Sequence, residues 1–152
     1  SASTRDKSTS RGFTPIEILV VLALFTALAS IGIVAGIDSY QRYLFRSNVD
    51  TASSLLQKAR SSAIHNIGET SHGVYFCDSA KFVLFRGTSY GMLPSYDFPV
   101  EKSKAVKITS CPSPSEIVFT QLSGETVGGT IVLTDGVRNV TITVNNEGGI
   151  NW

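Results

Sequence analysis

The feature that most constrains this chain is an uncharged apolar run from Ile18 to Ile37, in which 16 of 20 residues are apolar. At a rise of 1.5 Å per residue, about 20 helical residues span about 30 Å, the thickness of the hydrocarbon layer of a bilayer. The apolar region of a secretory signal peptide is shorter, about 7 to 15 residues, and ends at a cleavage site between small residues. The run continues without a break into helix-compatible sequence, so it predicts a transmembrane helix rather than a signal peptide or a buried core helix.

The composition agrees with a membrane segment attached to an ordinary domain. Of the 152 residues, 42% are hydrophobic and 16% are charged, whereas about a quarter of the residues in a typical soluble domain are charged. The formal net charge of +1 excludes a polybasic protein that gathers nucleic acid through a global field. The length suits one domain with an appendage and excludes two full domains.

The residues on the N-terminal side of the apolar run predict its orientation. Residues 1–12 contain three basic side chains and one acidic side chain. By the positive-inside rule, this excess of basic charge keeps the N-terminus in the cytoplasm, and the rest of the chain is exported. Glu17 stands at the edge of the run, where a carboxylate in or near lipid is costly and usually marks a functional site. The alternative for Glu17 is an interfacial charge that reaches the headgroups.

The segment 11–17, RGFTPIE, followed at once by the apolar run, resembles the processing site of type IV prepilins and of the pseudopilins of type II secretion systems. In that family a membrane peptidase cuts after the glycine and methylates the new N-terminal Phe. The resemblance implies that residues 1–12 are a prepilin leader and that Gly12 and Phe13 flank the scissile bond. It also implies that Glu17 pairs with the N-terminal amine of a neighbouring subunit during filament assembly. Such a pair is tolerable in low dielectric, where each charge alone is costly.

The sequence predicts one long helix that is first transmembrane and then amphipathic. Residues 13–37 form the transmembrane part, and residues 38–68 continue the helix with an apolar stripe at steps of four and three. The stripe consists of Phe45, Val49, Ala52, Leu56, Ala59 and Ala63. Pro15 departs from the aliphatic residue usual in the family, but its fixed φ suits the first helical turn. Gly68 predicts the C-terminal end of the helix. About 50 helical residues extend about 75 Å, so the N-terminal half requires cover by lipid or by other subunits.

Residues 69–152 change to short β-type runs, which predict an antiparallel sheet of about six strands. The predicted strands are residues 72–77, 81–86, 105–109, 116–120, 129–134 and 138–144. Residues 87–103 predict a surface loop, and Asp135-Gly136 predicts a turn between the last two strands. Packing of the sheet on the helix gives an α+β fold with a β-sheet headgroup, as in type IV pilin-like proteins. The order and spacing of the segments 55–65 and 119–124 resemble the GspH and FimT branch of minor pseudopilins and minor pilins.

The two cysteines, Cys77 and Cys111, fall on the predicted exported side. A disulfide between them closes a loop of about 35 residues and stabilises the fold by roughly 3 to 4 kcal/mol; two buried free thiols are the alternative. His65 and His72 have no metal-ligand spacing, so the sequence predicts solvated or capping residues. No motif of a hydrolase, a zinc protease or a phosphate-binding loop occurs. The sequence therefore predicts no enzyme, no metal site and no cofactor.

A small basic cluster consists of Lys102, Lys104 and Lys107, near Tyr90 and Tyr96. These side chains could contact nucleic acid, yet three lysines in a near-neutral domain are typical of a solvated face. Some FimT-type minor pilins bind DNA through a C-terminal tail that contains arginine, whereas the tail here, GGINW, has none. We therefore expect that nucleic acid is not a partner.

These features together predict a non-catalytic structural subunit of a type II secretion pseudopilus, which serves protein export. The subunit is expected as a single-pass protein of the inner (cytoplasmic) membrane before it enters the filament. The resemblance implies four kinds of partner: other pilin or pseudopilin subunits, a prepilin peptidase, an inner-membrane assembly platform and membrane lipid. One alternative is a minor subunit of a type IV pilus for adhesion, motility or DNA uptake. The other is a signal-anchored binding domain or enzyme that does not polymerise.

Overall fold

The computed structural model describes residues 12–110 and 115–152, which form one long helix followed by antiparallel β-structure. The predicted α+β class is confirmed. The helix α1 is Pro15–Ile64, and short 3-10 helices lie at Ile67–Glu69 and Pro94–Tyr96. The strands are β1 His72–Tyr75, β2 Lys81–Arg86, β3 Phe98–Glu101, β4 Lys107–Ser110, β5 Glu116–Phe119, β6 Gly129–Thr134, β7 Asn139–Val144 and β8 Ile150–Asn151.

Helix α1 begins with a capping sequence, Thr-Pro-Ile-Glu. The side-chain oxygen of Thr14 accepts a hydrogen bond from the backbone N–H of Glu17 at 3.3 Å, and Pro15 occupies the first helical position, where its missing N–H is harmless. The carboxylate of Glu17 in the first turn also suits the positive end of the helix dipole. Local sequence therefore fixes where the helix starts.

The helix ends earlier than the sequence predicted. Its last residue is Ile64, and Asn66 adopts a left-handed conformation with φ 54°, which asparagine tolerates better than most residues do. The predicted cap, Gly68, also has a positive φ of 70°, but it lies inside the short 3-10 helix. The end of the helix is thus set by an asparagine two residues before the expected glycine.

The described part of the chain divides into two units, with the boundary between Tyr40 and Gln41. In the first unit, the helix is long and apolar enough to cross a membrane, and the side chains of residues 12–32 and 36–40 are all exposed. The second unit contains the eight strands and the hydrophobic core.

The core lies where the amphipathic stripe of the helix meets both sheets. All six residues of the predicted stripe are buried, and they belong to one hydrophobic cluster with apolar side chains from strands of both sheets. The rings of Phe76 and Phe82 meet edge to face in this cluster, with centroids 5.5 Å apart. Spacing of apolar residues at steps of three and four thus identified the buried face of the helix correctly.

The β-structure forms two four-stranded sheets, with the strand orders β3-β2-β1-β5 and β4-β6-β7-β8. The prediction of one sheet of about six strands was therefore wrong. Strand β3 falls inside the predicted loop 87–103. The prediction missed this strand because it contains Pro99, and proline argues against a strand except at the edge of a sheet, where β3 lies. Strand β8 has two residues, too few to give an alternating pattern. The predicted turn at Asp135-Gly136 is confirmed by the antiparallel pairing of β6 with β7.

Candidate functional site

The N-terminal end of the described chain combines an apolar surface with one carboxylate. Glu17 is the only ionisable side chain between Gly12 and Ile37. Among the residues that the structure describes, its carboxylate forms no hydrogen bond and no ion pair. The helix therefore presents an unpaired acid on an apolar surface.

Phe13 and Glu17 lie on the same side of this helix end. They are four positions apart, and both line a shallow depression with Ile18, Val21 and Leu22. Phe13 is 79% exposed, and a Cβ added at Gly12 would meet no heavy atom of the described residues within 4 Å. None of the residues described by the structure thus covers the Gly12–Phe13 peptide bond. The rest of the predicted leader, residues 1–11, lies outside the described part of the chain.

Of the two predicted disulfide partners, the structure describes one. Cys77 follows β1 and is disulfide-bonded. Cys111 lies outside the described residues, so the pairing of Cys77 with Cys111 stays a prediction.

The two histidines have different environments. His65 is exposed, and its Nδ1 lies 2.7 Å from the carbonyl oxygen of Ser61. The prediction of a solvated or capping residue was wrong for His72, which is buried at the start of β1 and whose Nδ1 donates to the carbonyl oxygen of Thr70 at 3.2 Å. Burial lowers the pKa of His72, and the nearby charge of Arg86 lowers it further, against the opposing effect of the hydrogen bond to Thr70.

The predicted basic cluster divides into one buried and two exposed lysines. Lys104 and Lys107 are exposed, as expected of a solvated face. The prediction was wrong for Lys102, which is 6% exposed and donates from Nζ to the carbonyl oxygens of Ser79 and Val106. Sequence reasoning assigned a lysine to solvent because free ammonium groups are costly to bury. Only the folded chain brings the two carbonyl groups to it.

Arg60 is a further residue of helix α1 whose role the amphipathic pattern does not reveal, because the pattern identifies only the apolar stripe. Its Nη2 donates to the carbonyl oxygen of Glu147 at 3.0 Å, so it ties the helix to the turn before β8. Two glycines with positive φ, Gly124 and Gly148, make room for the arginine side chain. Their spacing in the sequence carries no local signal that relates them to Arg60.

Within residues 12–110 and 115–152, no group of three or more His, Cys, Asp or Glu side chains could hold a metal ion. No protein-family model, no curated protein and no solved structure matches the chain.

Proposed function

We propose that this chain is a structural subunit of a filament, processed after Gly12, methylated at Phe13 and assembled through its N-terminal helix into a type II secretion pseudopilus. One observation carries the proposal. The apolar N-terminal part of helix α1, whose described side chains are all exposed up to Tyr40, carries one carboxylate, Glu17, without a partner among the described residues, four positions after the exposed Phe13. We place the subunit first in the inner membrane, with its N-terminus in the cytoplasm and its headgroup exported.

The energy of covering this helix supports the proposal. Ten large apolar side chains between Ile16 and Ile31 are 44% to 70% exposed. Full burial of one fully exposed side chain of this kind contributes about 1.5 to 3 kcal/mol. Because about three fifths of this surface remains exposed, covering the segment is worth roughly 9 to 18 kcal/mol. A whole domain is stable by only about 5 to 15 kcal/mol. The segment therefore needs lipid around a single subunit and neighbouring helices around an assembled one.

Glu17 makes assembly with other subunits more favourable than the state of a single subunit surrounded only by lipid. A carboxylate in an apolar environment is costly until it meets a cation. Cleavage after Gly12 creates a cationic amine at Phe13, one helical turn from Glu17. Every subunit then offers one amine and one acid at the same end, and pairing between subunits compensates both charges and fixes their register. The partners implied are other subunits of the filament, a prepilin peptidase, an inner-membrane assembly platform and lipid.

Coexpression with a prepilin peptidase tests the processing step. Mass spectrometry of the intact chain should find a product that begins at N-methylated Phe13. The matched control is Gly12→Val, which should remain uncleaved. Because a Cβ at this position meets no described atom, the control should keep the fold. Uncleaved wild-type chain in the presence of active peptidase contradicts the proposal.

A second experiment tests assembly separately from processing. Glu17→Gln keeps the shape of the side chain and removes its charge, so this variant should be cleaved normally but should be lost from filaments sheared from cells that express the complete assembly machinery. Asp50→Asn, an exposed acid of the same helix in the second unit, is the matched control and should enter filaments normally. Incorporation of Glu17→Gln at the wild-type level removes the assembly role. Absence of the wild-type chain from every filament fraction favours an anchored protein that does not polymerise.

A further inference from the structure

A cavity of about 430 Å³ lies between the β1–β2 connection and the residues that lead from β3 into β4. Its lining includes three lysines, Lys102, Lys104 and Lys107, and one acid, Asp78. The formal net charge of these four side chains is +2. The filament proposed above makes no use of this cavity.

Lys102 provides the observation that distinguishes this cavity from a solvated face. Its side chain is more than nine-tenths buried, and two of its three ammonium protons have acceptors, the carbonyl oxygens of Ser79 at 2.8 Å and Val106 at 2.6 Å. Within the described residues it forms no ion pair. A buried ammonium group without a counter-charge is costly by several kcal/mol, which is consistent with the lowering of the pKa of Lys102 by burial.

The acid in the lining, Asp78, supplies this counter-charge only in part. Oδ1 of Asp78 accepts the backbone N–H of Ala80 at 2.7 Å, and this bond closes the turn between β1 and β2. Asp78 raises the pKa of Lys102 only in part against the larger effect of burial. The third ammonium proton of Lys102 therefore has no acceptor among the described residues.

Lys104 and Lys107 complete the arrangement at the rim. Both side chains are exposed, and neither forms a hydrogen bond or an ion pair with the part of the chain that is described. An ammonium on a flexible stem binds phosphate as a point charge. A phosphate monoester carries about 1.5 to 2 negative charges near neutral pH, which matches the net charge of the lining.

We propose that this cavity binds a phosphate monoester, with Lys102 at the base and Lys104 and Lys107 at the rim. The proposal is independent of whether the chain polymerises. The monoester is a soluble phosphate ester or the headgroup of an acidic lipid, because both present the same dianion.

Isothermal titration calorimetry on the full chain in a nonionic detergent tests the proposal at low ionic strength. Glycerol 3-phosphate should bind saturably, and dimethyl phosphate, which has a single charge, should bind at least tenfold more weakly. A short-chain phosphatidic acid distinguishes the two sources. Equal affinity for the lipid and for glycerol 3-phosphate indicates that the phosphate alone is recognised, and a much higher affinity for the lipid indicates a lipid headgroup.

Variants assign the binding to the three lysines. Lys104→Ala and Lys107→Ala should each weaken binding about two- to fivefold, as expected for exposed charges, and the double variant about tenfold. Lys58→Ala removes the same charge from an exposed position outside this cavity and should change the affinity less than twofold.

Lys102→Met should abolish detectable binding. If Lys102→Met does not fold, the double variant of the exposed pair decides, because those side chains form no hydrogen bond or ion pair with the described residues. The proposal is overturned if glycerol 3-phosphate shows no saturable binding up to 10 mM, a limit that corresponds to roughly −2.7 kcal/mol of binding free energy. It is also overturned if the double variant binds as tightly as Lys58→Ala does.

Discussion

A methyl group added at Gly148 tests how the turn before β8 is held against the helix. Gly148 has a φ of +79°. A Cβ there would lie 2.7 Å from Nε of Arg60 and closer still to the backbone oxygen of Gly124. Nε of Arg60 is buried without a hydrogen-bond partner among the described residues, and Nη2 of the same side chain donates to the carbonyl oxygen of Glu147. Gly148→Ala must therefore displace the guanidinium group of Arg60 or move the backbone at Gly148 away from the backbone at Gly124.

The expected cost follows from a matched control, Gly136→Ala. Gly136 has a φ of +89°, and a Cβ there meets nothing within 4 Å, so this variant reports only the left-handed backbone, about 1 to 2 kcal/mol. Gly148→Ala adds an overpacking cost of about 1 to 3 kcal/mol. If Arg60 is displaced, loss of its charged hydrogen bond to Glu147 also contributes. We expect a decrease in the free energy of unfolding of about 3 to 5 kcal/mol for Gly148→Ala and about 1 to 2 kcal/mol for the control.

Urea unfolding of the full chain in a nonionic detergent, followed by the near-ultraviolet circular dichroism of the aromatic side chains, measures both costs. A double-mutant cycle of Gly148→Ala with Arg60→Ala then separates the steric term, because removal of the guanidinium group should relieve part of the cost and give a coupling of at least about 1 kcal/mol. The assigned role of Arg60 is refuted if Gly148→Ala and Gly136→Ala lower the free energy of unfolding by amounts that differ by less than about 0.5 kcal/mol. It is also refuted if the effects of Gly148→Ala and Arg60→Ala on that free energy add within the same limit.

Three further predictions concern the headgroup. Gly73→Ala should destabilise the fold by about 1 to 3 kcal/mol, because its Cβ would lie 2.5 Å from the Phe85 ring and 2.8 Å from the backbone oxygen of Ile117; an unchanged urea midpoint contradicts this. Phe119→Ala, at a fully buried position, should cost about 3 to 5 kcal/mol in the same assay. Lowering the pH from 7 to 5 should destabilise the wild type more than His72→Gln, because the unfolded chain protonates His72 near its ordinary pKa of 6.5 and the folded chain only at lower pH. Equal loss of stability in both proteins would show that His72 does not cause the dependence on pH.

The elements that the sequence predicted well are those in which the pattern is local. The stripe of the helix from Phe45 to Ala63 repeats within one segment, and the Asp135-Gly136 turn is two residues long. Division of the strands between two sheets depends on pairing between distant segments, which no local pattern specifies. Strand β2 illustrates the difficulty. Its buried residues occupy four consecutive positions, because one face packs on the core while Tyr90 from the next loop lies against Phe85 on the other, with ring centroids 5.8 Å apart.

The same distinction applies to the candidate sites. A peptidase that cuts after Gly12 would read an extended stretch of chain, so the residues concerned are neighbours in the sequence and can be recognised there. The cavity at Lys102 is different, because its lining comes from the β1–β2 connection and from the residues between β3 and β4. A lysine gives no sign in the sequence that it will be buried, and its acceptors are backbone carbonyls, which every residue possesses.

The burial pattern separates folding from assembly, and this separation can be tested. Among the described residues, the hydrophobic core lies entirely within Gln41–Trp152, whereas the exposed apolar residues to which we assign assembly lie between Phe13 and Tyr40. Glu17 has no described partner in the chain, so Glu17→Gln removes no stabilising contact from the headgroup and should leave its urea midpoint unchanged. Phe119→Ala should lower that midpoint while the processing segment stays intact. If Glu17→Gln destabilises the headgroup as well, its absence from filaments would reflect misfolding, and the pairing of charges between subunits would no longer be needed to explain it.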